Sequence, residues 1–230
     1  MTLSSDHSES ADHSGSEPEV VTILIVEDQD IVAEALGRAI GGETGMSVVG
    51  IAGSVATAVQ SAEQLRPRVI VMDYALPDGT GAEAARQVKA NSADIEIVML
   101  TGLTGGAVLA EALEAGCSGF VPKQSHYSML ISAIRGVLDG QVQVPPALMA
   151  DLIAHLRQRP NAQGSDLTLR ELELLRLIAA GNSTSDIASQ LFLSVHTVRN
   201  HVARILTKLQ AHTRLEAVAV AVRHGLIELG

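Results

Sequence analysis

Aromatic residues, cysteine and long apolar runs are all scarce in this chain of 230 residues. Two tyrosines, two phenylalanines and no tryptophan leave it without the stacking surface that binds single-stranded nucleic acid. One cysteine, Cys117, excludes an internal disulfide framework and fits a reducing compartment. No apolar run approaches the roughly 18 residues that span a bilayer, and the N-terminus lacks a signal-peptide pattern. We therefore expect a cytoplasmic protein with no membrane partner.

The first residues differ in composition from the rest of the chain. Residues 1–19 are rich in Ser, Asp, Glu and His and almost devoid of large apolar side chains. Such a segment cannot repay the entropy of ordering, so we expect a disordered acidic tail. The chain as a whole is 47% hydrophobic, which provides ample core for one large or two ordinary domains.

Between residue 21 and about residue 140, short β-branched runs alternate with longer stretches rich in Ala and Leu. Five alternations predict an α/β domain with a doubly wound, five-stranded parallel sheet. Predicted strands lie near 21–26, 47–51, 68–72, 95–100 and 118–121, and predicted helices near 30–41, 54–65, 79–90, 104–115 and 126–138.

Acidic residues stand where two of the predicted strands end. Glu27 and Asp28 follow the first strand, and Asp73 follows the strand that ends at Met72. Because the carboxyl ends of parallel strands meet in one crevice, these carboxylates should converge although 45 residues separate Asp28 from Asp73. Clustered carboxylates suit Mg²⁺, which binds oxygen ligands and often a substrate phosphate. The pattern predicts phosphoryl-transfer chemistry.

A hydroxyl and an ammonium stand at the ends of the next two strands, at Thr101 and Lys123. Both groups can bind phosphoryl oxygens. Each residue also has an ordinary structural explanation, since Asp73 could open a turn, Thr101 could cap a helix and Lys123 could be a solvated charge. Turns and caps do not require acid, hydroxyl and lysine in that strand order, which favours a phosphorylation pocket.

A second, all-helical domain is predicted beyond an extra helix at 147–157 and a Pro/Gly/Asn/Ser-containing linker at 159–166. Capping-box spacings open its first and last helices, at Thr168 with Glu171 and at Thr213 with Glu216.

Between those two helices the pattern predicts a helix-turn-helix. A short helix at 184–191 and a longer one at 195–209 are separated by a tight turn, with Ser194 as N-cap of the second. The longer helix has no acidic residue and several polar or basic ones, which is typical of a recognition helix in the DNA major groove. The simpler alternative is a solvated amphipathic helix. The side chains predicted to bind double-stranded DNA are Ser194, Thr197, Arg199, Asn200, His201, Arg204 and Lys208.

Charge and apolar surface point to a dimer on DNA. Residues 165–230 hold seven basic and six acidic residues, a net charge of +1, whereas residues 1–164 hold nine and twenty, a net charge of −11. So acidic a chain should bind DNA modestly unless two recognition helices act together. The last helix carries more apolar surface than a small domain needs, so a dimer contact competes there with core packing. The residues predicted for that contact are Ala217, Val218 and Ala221.

Together these motifs closely resemble those of two-component response regulators of the NarL/FixJ family, in which a receiver domain precedes a LuxR-type helix-turn-helix. The resemblance implies a flavodoxin-like receiver at 20–140, a helix and linker at 141–166, and a DNA-binding domain at 167–230. Its most specific segments are Val71-Met72-Asp73-Tyr74-Ala75-Leu76-Pro77-Asp78-Gly79, Gly119-Phe120-Val121-Pro122-Lys123 and Ser194-Val195-His196-Thr197-Val198-Arg199-Asn200-His201.

The resemblance also implies roles at the acidic cluster. Asp73 would receive a phosphoryl group from a sensor histidine kinase, with Mg²⁺ as cofactor. Asp28, Asp73 and the main-chain carbonyl of Ala75 would hold the ion, and Glu27 would help through a metal-bound water. The receiver would assist its own phosphotransfer without making the protein an enzyme.

A switch and an output follow from the same resemblance. Thr101 and Lys123 would bind the phosphoryl oxygens, and their movement would reposition Phe120. Because Phe120 has no phenolic hydroxyl, it would act by packing alone. Phosphorylation would shift the protein toward a homodimer that binds DNA and controls transcription, with RNA polymerase as a further partner.

Two other functional classes compete with this interpretation. A phosphatase with an aspartyl nucleophile would share the fold and the Mg²⁺ chemistry, but it would normally carry a second acid where this chain has Ala75. A regulator that binds DNA without phosphorylation, controlled by a partner or ligand, is the stronger alternative. The Asp73→Asn substitution distinguishes DNA binding that depends on phosphorylation, which the variant loses, from DNA binding that does not, which the variant keeps.

Overall fold

The computed structural model describes residues 20–102, 105–157 and 167–228. The tail predicted at 1–19 and the linker predicted at 159–166 lie outside these residues. Within the described part, no helix is both long and apolar enough to cross a membrane.

The N-terminal half is an α/β domain, as predicted. Its strands are β1 (Val21–Val26), β2 (Met46–Ala52), β3 (Val69–Asp73), β4 (Ala75–Leu76), β5 (Gly79–Thr80), β6 (Glu96–Thr101) and β7 (Gly119–Pro122). Its helices are α1 (Asp30–Gly41), α2 (Val55–Leu65), α3 (Gly81–Asn91), α4 (Gly106–Glu114) and α5 (Tyr127–Leu138). Five of the strands form one parallel sheet in the order β2-β1-β3-β6-β7. This arrangement confirms the doubly wound sheet.

The sheet separates two hydrophobic cores because successive side chains of a strand point to opposite faces. In β3, Ile70 and Met72 lie in the core that is covered by α2, α3 and α4. Val69 and Val71 lie in the core that is covered by α1 and α5. All four side chains are fully buried, which explains why this strand is a continuous apolar run in the sequence.

Helix α3 begins two residues later than the sequence predicts. Residues 75–80 form a small antiparallel hairpin, in which Ala75 pairs with Thr80. The Thr80 side chain then caps the helix by accepting the Glu83 N–H at 3.1 Å, and the Glu83 carboxylate accepts the Thr80 N–H at 3.0 Å. Gly81 is required at the start, because a Cβ there would lie 2.2 Å from the Asp73 carbonyl oxygen. The turn that follows Asp73 is therefore tightly fixed.

The C-terminal half is helical, again as predicted. Its helices are α6 (Pro146–Arg157), α7 (Leu169–Ala179), α8 (Thr184–Gln190), α9 (Val195–Leu209) and α10 (Arg214–Arg223). The predicted capping box at Thr168 is complete, and Ser194 caps α9 by accepting the Thr197 N–H at 3.0 Å.

The capping box predicted at Thr213 is only half formed. Thr213 accepts the Glu216 N–H at 3.1 Å, but the Glu216 carboxylate accepts the N–H of His212 at 2.6 Å, instead of the N–H of Thr213.

The two halves are packed together. Leu152 of α6 and Leu215 and Ala219 of α10 belong to the same hydrophobic core as α2, α3 and α4. The remaining apolar side chains of α10 pack into a separate core with α7, α8 and α9. Helix α10 is therefore shared, with one face in its own domain and the other against the α/β domain.

Candidate functional site

The predicted acids converge at the carboxyl edge of the sheet. Glu27, Asp28 and Asp73 each offer a carboxylate oxygen, and these oxygens all lie within 4.8 Å of one another. Glu27 and Asp73 are buried, with 2% of each residue exposed, whereas Asp28 is exposed at the mouth of the cluster. Three oxygen ligands with an open side fit a hard divalent cation that keeps waters in its shell. The donor set therefore fits Mg²⁺.

Lys123 neutralises the buried part of the cluster. Its Nζ donates to Asp73 Oδ2 at 2.7 Å and to Glu27 Oε2 at 2.9 Å. Burial alone would lower the pKa of Lys123, but the hydrogen bonds to Asp73 and Glu27 and the charges of these two carboxylates outweigh it and raise the pKa above its usual value. The ammonium therefore stays charged at neutral pH and remains available to bind an anion.

Thr101 and Ala75 complete the edge that faces the acids. Thr101 is 2% exposed at the end of β6, beside β3, and its carbonyl oxygen accepts the Lys123 N–H at 2.9 Å. Ala75 is exposed and follows Asp73 by two residues, within the hairpin. The predicted phosphate-binding hydroxyl and the predicted backbone ligand thus come from segments that border the acidic cluster.

Phe120 lies away from this polar edge. Its ring is 2% exposed and belongs to the core with α2, α3 and α4. Any switch at this position must work through packing, since the side chain has no polar atom.

Asp78 has a role that the sequence did not reveal. Its Oδ1 accepts the Val55 N–H at 2.7 Å, and its Oδ2 accepts the Ala56 N–H at 3.1 Å. These two backbone hydrogen bonds lower the pKa of the Asp78 carboxyl. The side chain caps α2 and so ties the hairpin after Asp73 to that helix. The sequence around Asp78 does not indicate these partners, because they lie 22 to 23 residues away along the chain.

The polar face of α9 is open to solvent. Ser194, Arg199, Asn200 and Arg204 are exposed, whereas Thr197 and His201 are partly buried. Val198, Val202 and Ile205 face inward and pack in the core of the helical domain. In this arrangement the exposed members of the predicted set, such as Arg199 and Arg204, are accessible from solvent.

Lys208 differs from the other predicted DNA contacts. Its Nζ donates to Glu171 Oε2 at 2.7 Å, and Glu171 itself caps α7. Burial would raise the pKa of Glu171, but the hydrogen bonds from Lys208 and Thr168 outweigh it and lower the pKa. The Lys208 ammonium therefore links α9 to α7 in this structure.

The three residues predicted for a dimer contact are core residues here. Ala217 is 1% exposed, and Val218 and Ala221 are fully buried, all in the core with α7, α8 and α9. Apolar residues cover more than one side of α10 because this helix packs against two cores, and not because it leaves a free face. In this arrangement these side chains are therefore inaccessible to a second copy of the chain.

Known families match both halves of the chain. Residues 23–135 match the family described as a response regulator receiver domain. Residues 165–221 match the family described as bacterial regulatory proteins of the luxR family.

Relatives cover nearly the whole chain. The transcriptional regulatory protein DesR of Bacillus subtilis is 34% identical over 206 residues, which is 90% of this chain and 98% of that protein. The DNA-binding transcriptional activator DevR/DosR of Mycobacterium tuberculosis is 35% identical over 204 residues, which is 88% of this chain and 94% of that protein.

Solved structures share the fold. A LuxR-family two-component response regulator from Aurantimonas sp. is 31% identical with a TM-score of 0.56, over 61% of this chain and 99% of that one. The response regulator ChrA of a heme-sensing two-component system is 25% identical with a TM-score of 0.50, over 91% of this chain and 100% of that one.

Proposed function

This chain belongs to the two-component response regulators that join a receiver domain to a LuxR-type DNA-binding domain and act as transcription regulators, and on that premise we propose that phosphorylation of Asp73 controls its binding to DNA. The observation that carries the proposal is the contact of the Lys123 ammonium with the buried Asp73 carboxylate at 2.7 Å, inside a cluster of three acids. We place the receiver at 20–140, the connecting helix and linker at 141–166, and the DNA-binding domain at 167–230.

Asp73 is the phosphoacceptor in this proposal. One of its oxygens attacks the phosphorus of a phosphohistidine on a sensor kinase, an O–P bond forms, and the P–N bond breaks with its electrons going to the imidazole. Lys123, which already contacts Glu27 and Asp73, neutralises charge on the transferred phosphoryl group. Mg²⁺, when bound, supplies further charge neutralisation on the phosphoryl oxygens. Asp28, Asp73 and the Ala75 carbonyl would hold the ion, with Glu27 in support.

Thr101 and Phe120 connect phosphorylation to the rest of the domain. The Thr101 hydroxyl binds a phosphoryl oxygen and carries the end of β6 with it. Phe120 lies in the core that α4 and α10 share, so a shift of that core changes its packing. The receiver in this way assists its own phosphotransfer without turning over a substrate as an enzyme does.

The output is binding to double-stranded DNA through α9. The exposed guanidinium groups of Arg199 and Arg204 and the amide of Asn200 suit base edges and phosphates. Ser194 and Thr197 at the start of the helix and His201 in its middle add shorter polar contacts. Lys208 would join them only after leaving Glu171.

A homodimer on activation remains part of the proposal, because two recognition helices would offset the acidity of the chain. Ala217, Val218 and Ala221 could form its contact only if α10 rearranges, since all three are buried in the helical core. RNA polymerase is a further proposed partner.

The test compares wild type with Asp73→Asn after treatment with Mg²⁺ and a small phosphodonor. Intact mass measures phosphate uptake, light scattering measures assembly, and binding to a duplex measures output. We expect uptake, dimer formation and tighter DNA binding in wild type, and none of these responses in the variant. Asp94→Asn is the matched control, because Asp94 is an exposed aspartate of the same domain outside the pocket.

Two results would contradict the proposal in different ways. Uptake without any change in assembly or DNA affinity would show that the receiver is uncoupled from its output. Equal DNA binding by wild type and Asp73→Asn under all conditions would favour a phosphorylation-independent regulator that a partner or ligand controls.

A further inference from the structure

Tyr74 joins the phosphoacceptor segment to α4. Its hydroxyl donates to Glu111 Oε2 at 2.6 Å, and Glu111 lies in the middle of α4. Burial and the hydrogen bond to Glu111 raise the pKa of Tyr74 to about 12, so the phenol keeps its proton at neutral pH. The contact is therefore a hydrogen bond from a neutral donor to a carboxylate, which is stronger than one between neutral groups.

The Tyr74 end of this contact is held firmly. The Tyr74 N–H donates to the Leu100 carbonyl at 3.0 Å, and the Tyr74 carbonyl accepts the Gly81 N–H at 2.7 Å. Gly81 packs so closely on Asp73 that a Cβ would lie 2.2 Å from the Asp73 carbonyl oxygen. The backbone of Tyr74 consequently cannot move without moving its neighbour Asp73.

At the other end of the contact, Glu111 belongs to α4, which packs against the C-terminal helices. Leu109 and Leu113 of α4 share a core with Leu152 of α6 and with Leu215 and Ala219 of α10. Helix α4 also approaches α6 closely, since a Cβ at Gly106 would lie 2.4 Å from the Asp151 carbonyl oxygen. The position of α4 therefore decides whether α6 and α10 can remain packed on the receiver.

Two glycines stand between the pocket and α4 in uncrowded surroundings. Gly102 and Gly105 lie between Thr101 and α4, and a Cβ at either would meet no atom within 4 Å. Phe120 has no hydroxyl with which to link the pocket to a helix. The negative charge of Glu83 also raises the pKa of Tyr74, although less than burial and Glu111 do.

We propose that the hydrogen bond between Tyr74 and Glu111 is a brake that holds α4, α6 and α10 in the docked arrangement, and that phosphorylation of Asp73 releases the helical domain by breaking it. The inference rests on the proposed function and names the contact through which that function is regulated. The bond exists in the docked state and is lost in the released state. Its removal therefore shifts the equilibrium toward release without any phosphate.

The experiment measures amide hydrogen exchange across Leu215–Val222 of α10 in the full-length chain. Tyr74→Phe removes only the donor, Glu111→Ala removes the acceptor, and Glu111→Gln keeps an oxygen that can accept. We expect Tyr74→Phe and Glu111→Ala to speed exchange in α10 by roughly five- to tenfold without phosphodonor, because a partly exposed hydrogen bond to a charged group is worth about that factor. Glu111→Gln should retain most of the wild-type protection.

Tyr127→Phe is the control, since it removes the hydroxyl of the chain's other tyrosine, at the start of α5. It should leave exchange in α10 unchanged. The double variant Tyr74→Phe with Glu111→Ala should resemble either single variant, because one bond cannot be lost twice. A merely structural weakening of the fold would instead give additive effects and a lower unfolding midpoint.

The lack of tryptophan provides a direct readout of the bond. In the Tyr127→Phe background, Tyr74 is the only tyrosine and therefore the only strong intrinsic fluorophore. A phenol that donates to a carboxylate fluoresces weakly, so emission should rise when the phosphodonor breaks the bond. Emission should already be high in the same background with Glu111→Ala, and the phosphodonor should not raise it further.

The outcomes separate this inference from the function it rests on. If wild type takes up phosphate and opens, while Tyr74→Phe exchanges at the wild-type rate, the brake is overturned and the proposed function stands. If wild type takes up no phosphate, the proposed function fails and the brake fails with it. Unchanged Tyr74 emission on phosphorylation would also overturn the brake.

Discussion

At the scale of the single residue, Lys123 balances the negative charge of the acidic pocket. Its ammonium contacts two carboxylates whose side chains are 0% and 3% exposed, Glu27 and Asp73. Removing one partner of a buried ion pair leaves the other charges without compensation. The same arrangement prepares the pocket for an anion, because the positive charge is in place before the phosphoryl group arrives.

We predict that Lys123→Ala lowers the free energy of unfolding by about 1–3 kcal/mol in metal-free buffer. The figure is below that of a fully buried pair, because the lysine side chain is 30% exposed. Saturating Mg²⁺ should recover much of the loss, since a divalent cation also neutralises the acids. Urea unfolding with and without Mg²⁺ measures both values.

The control for this prediction is Arg38→Ala. Arg38 and Glu34 form an exposed pair, with side chains 77% and 66% exposed, so its loss should change stability by less than about 0.5 kcal/mol. An equal loss for Lys123→Ala with and without Mg²⁺ would argue against a metal site among the acids.

The residues of the pocket could be predicted because each stands at the end of an apolar strand. Glu27, Asp28, Asp73, Thr101 and Lys123 all follow runs whose burial is apparent from their composition. The partners of these and nearby side chains could not be predicted. Nothing local in the sequence joins Asp78 to α2, Tyr74 to α4 or Glu171 to Lys208, because these partners are 22 to 37 residues apart.

At the scale of the element, α7 and α9 are joined by one carboxylate. Glu171 accepts from the Thr168 N–H at 2.8 Å and from Lys208 at 2.7 Å. It therefore caps one helix and anchors the recognition helix to it.

We predict that Glu171→Gln lowers the stability of the helical domain by about 1–2 kcal/mol at pH 7, a value typical of a lost cap with a charged partner. Because folding lowers the pKa of Glu171, its contribution is present above the unfolded value near 4.5 and disappears as pH falls through the folded value. The difference between wild type and variant should therefore vanish in acid. Chemical unfolding at a series of pH values measures it.

Glu173→Gln is the matched control, two residues along the same helix. Its side chain is 51% exposed and bonds to Arg170, so we expect little change at any pH. A pH-independent difference for Glu171→Gln would show that the ionised form of Glu171 contributes nothing.

The recognition helix supports a prediction about salt. Arg204→Ala should reduce the salt-dependence slope of DNA binding by about 1, as expected for one lost phosphate contact. Lys208→Ala should reduce it by less, because the Lys208 ammonium is already paired with Glu171. Titration of any duplex at several salt concentrations is sufficient. Equal slopes for the two variants would show that Lys208 leaves Glu171 to bind DNA.

The bounds of the predicted elements agree with the structure to within about two residues, and the hairpin at 75–80 is an element that the sequence did not indicate. The hairpin delays the start of α3. It could not be predicted, because its strands are only two residues long and show no periodicity. Helix α10 was correctly located, and its apolar residues pack into two cores of this chain. A sequence shows that a helix has apolar residues on several sides, but it does not show which neighbouring domain covers each side.

At the scale of the whole molecule, Arg214 bridges the two domains. Its guanidinium donates to the Gly140 carbonyl at 2.8 Å and to the Thr184 hydroxyl at 3.0 Å. The Thr184 N–H in turn donates to the Asp139 carbonyl at 3.1 Å. The residues that follow α5 thus supply acceptors to both α8 and α10.

We predict that Arg214→Ala shifts the docking equilibrium about tenfold toward separated domains, because the hydrogen bond from this partly buried guanidinium to the Gly140 carbonyl, which crosses between the domains, is lost. Small-angle scattering should show a larger radius of gyration, and amides at the start of α8 should exchange faster. Arg176→Ala removes the same charge from an exposed site on α7 and should change neither quantity. An unchanged radius for Arg214→Ala would mean that apolar packing of α10 is sufficient for docking.

The shared packing of α10 also limits how readily the protein can open. When the domains separate, Leu215 and Ala219 pass from a shared core into water. Newly uncovered apolar surface attracts other chains without selectivity, so the open form is less soluble than the docked form. An opened molecule that finds neither DNA nor a second copy is then exposed to aggregation. This penalty grows with concentration and favours a resting protein that stays shut until it is activated.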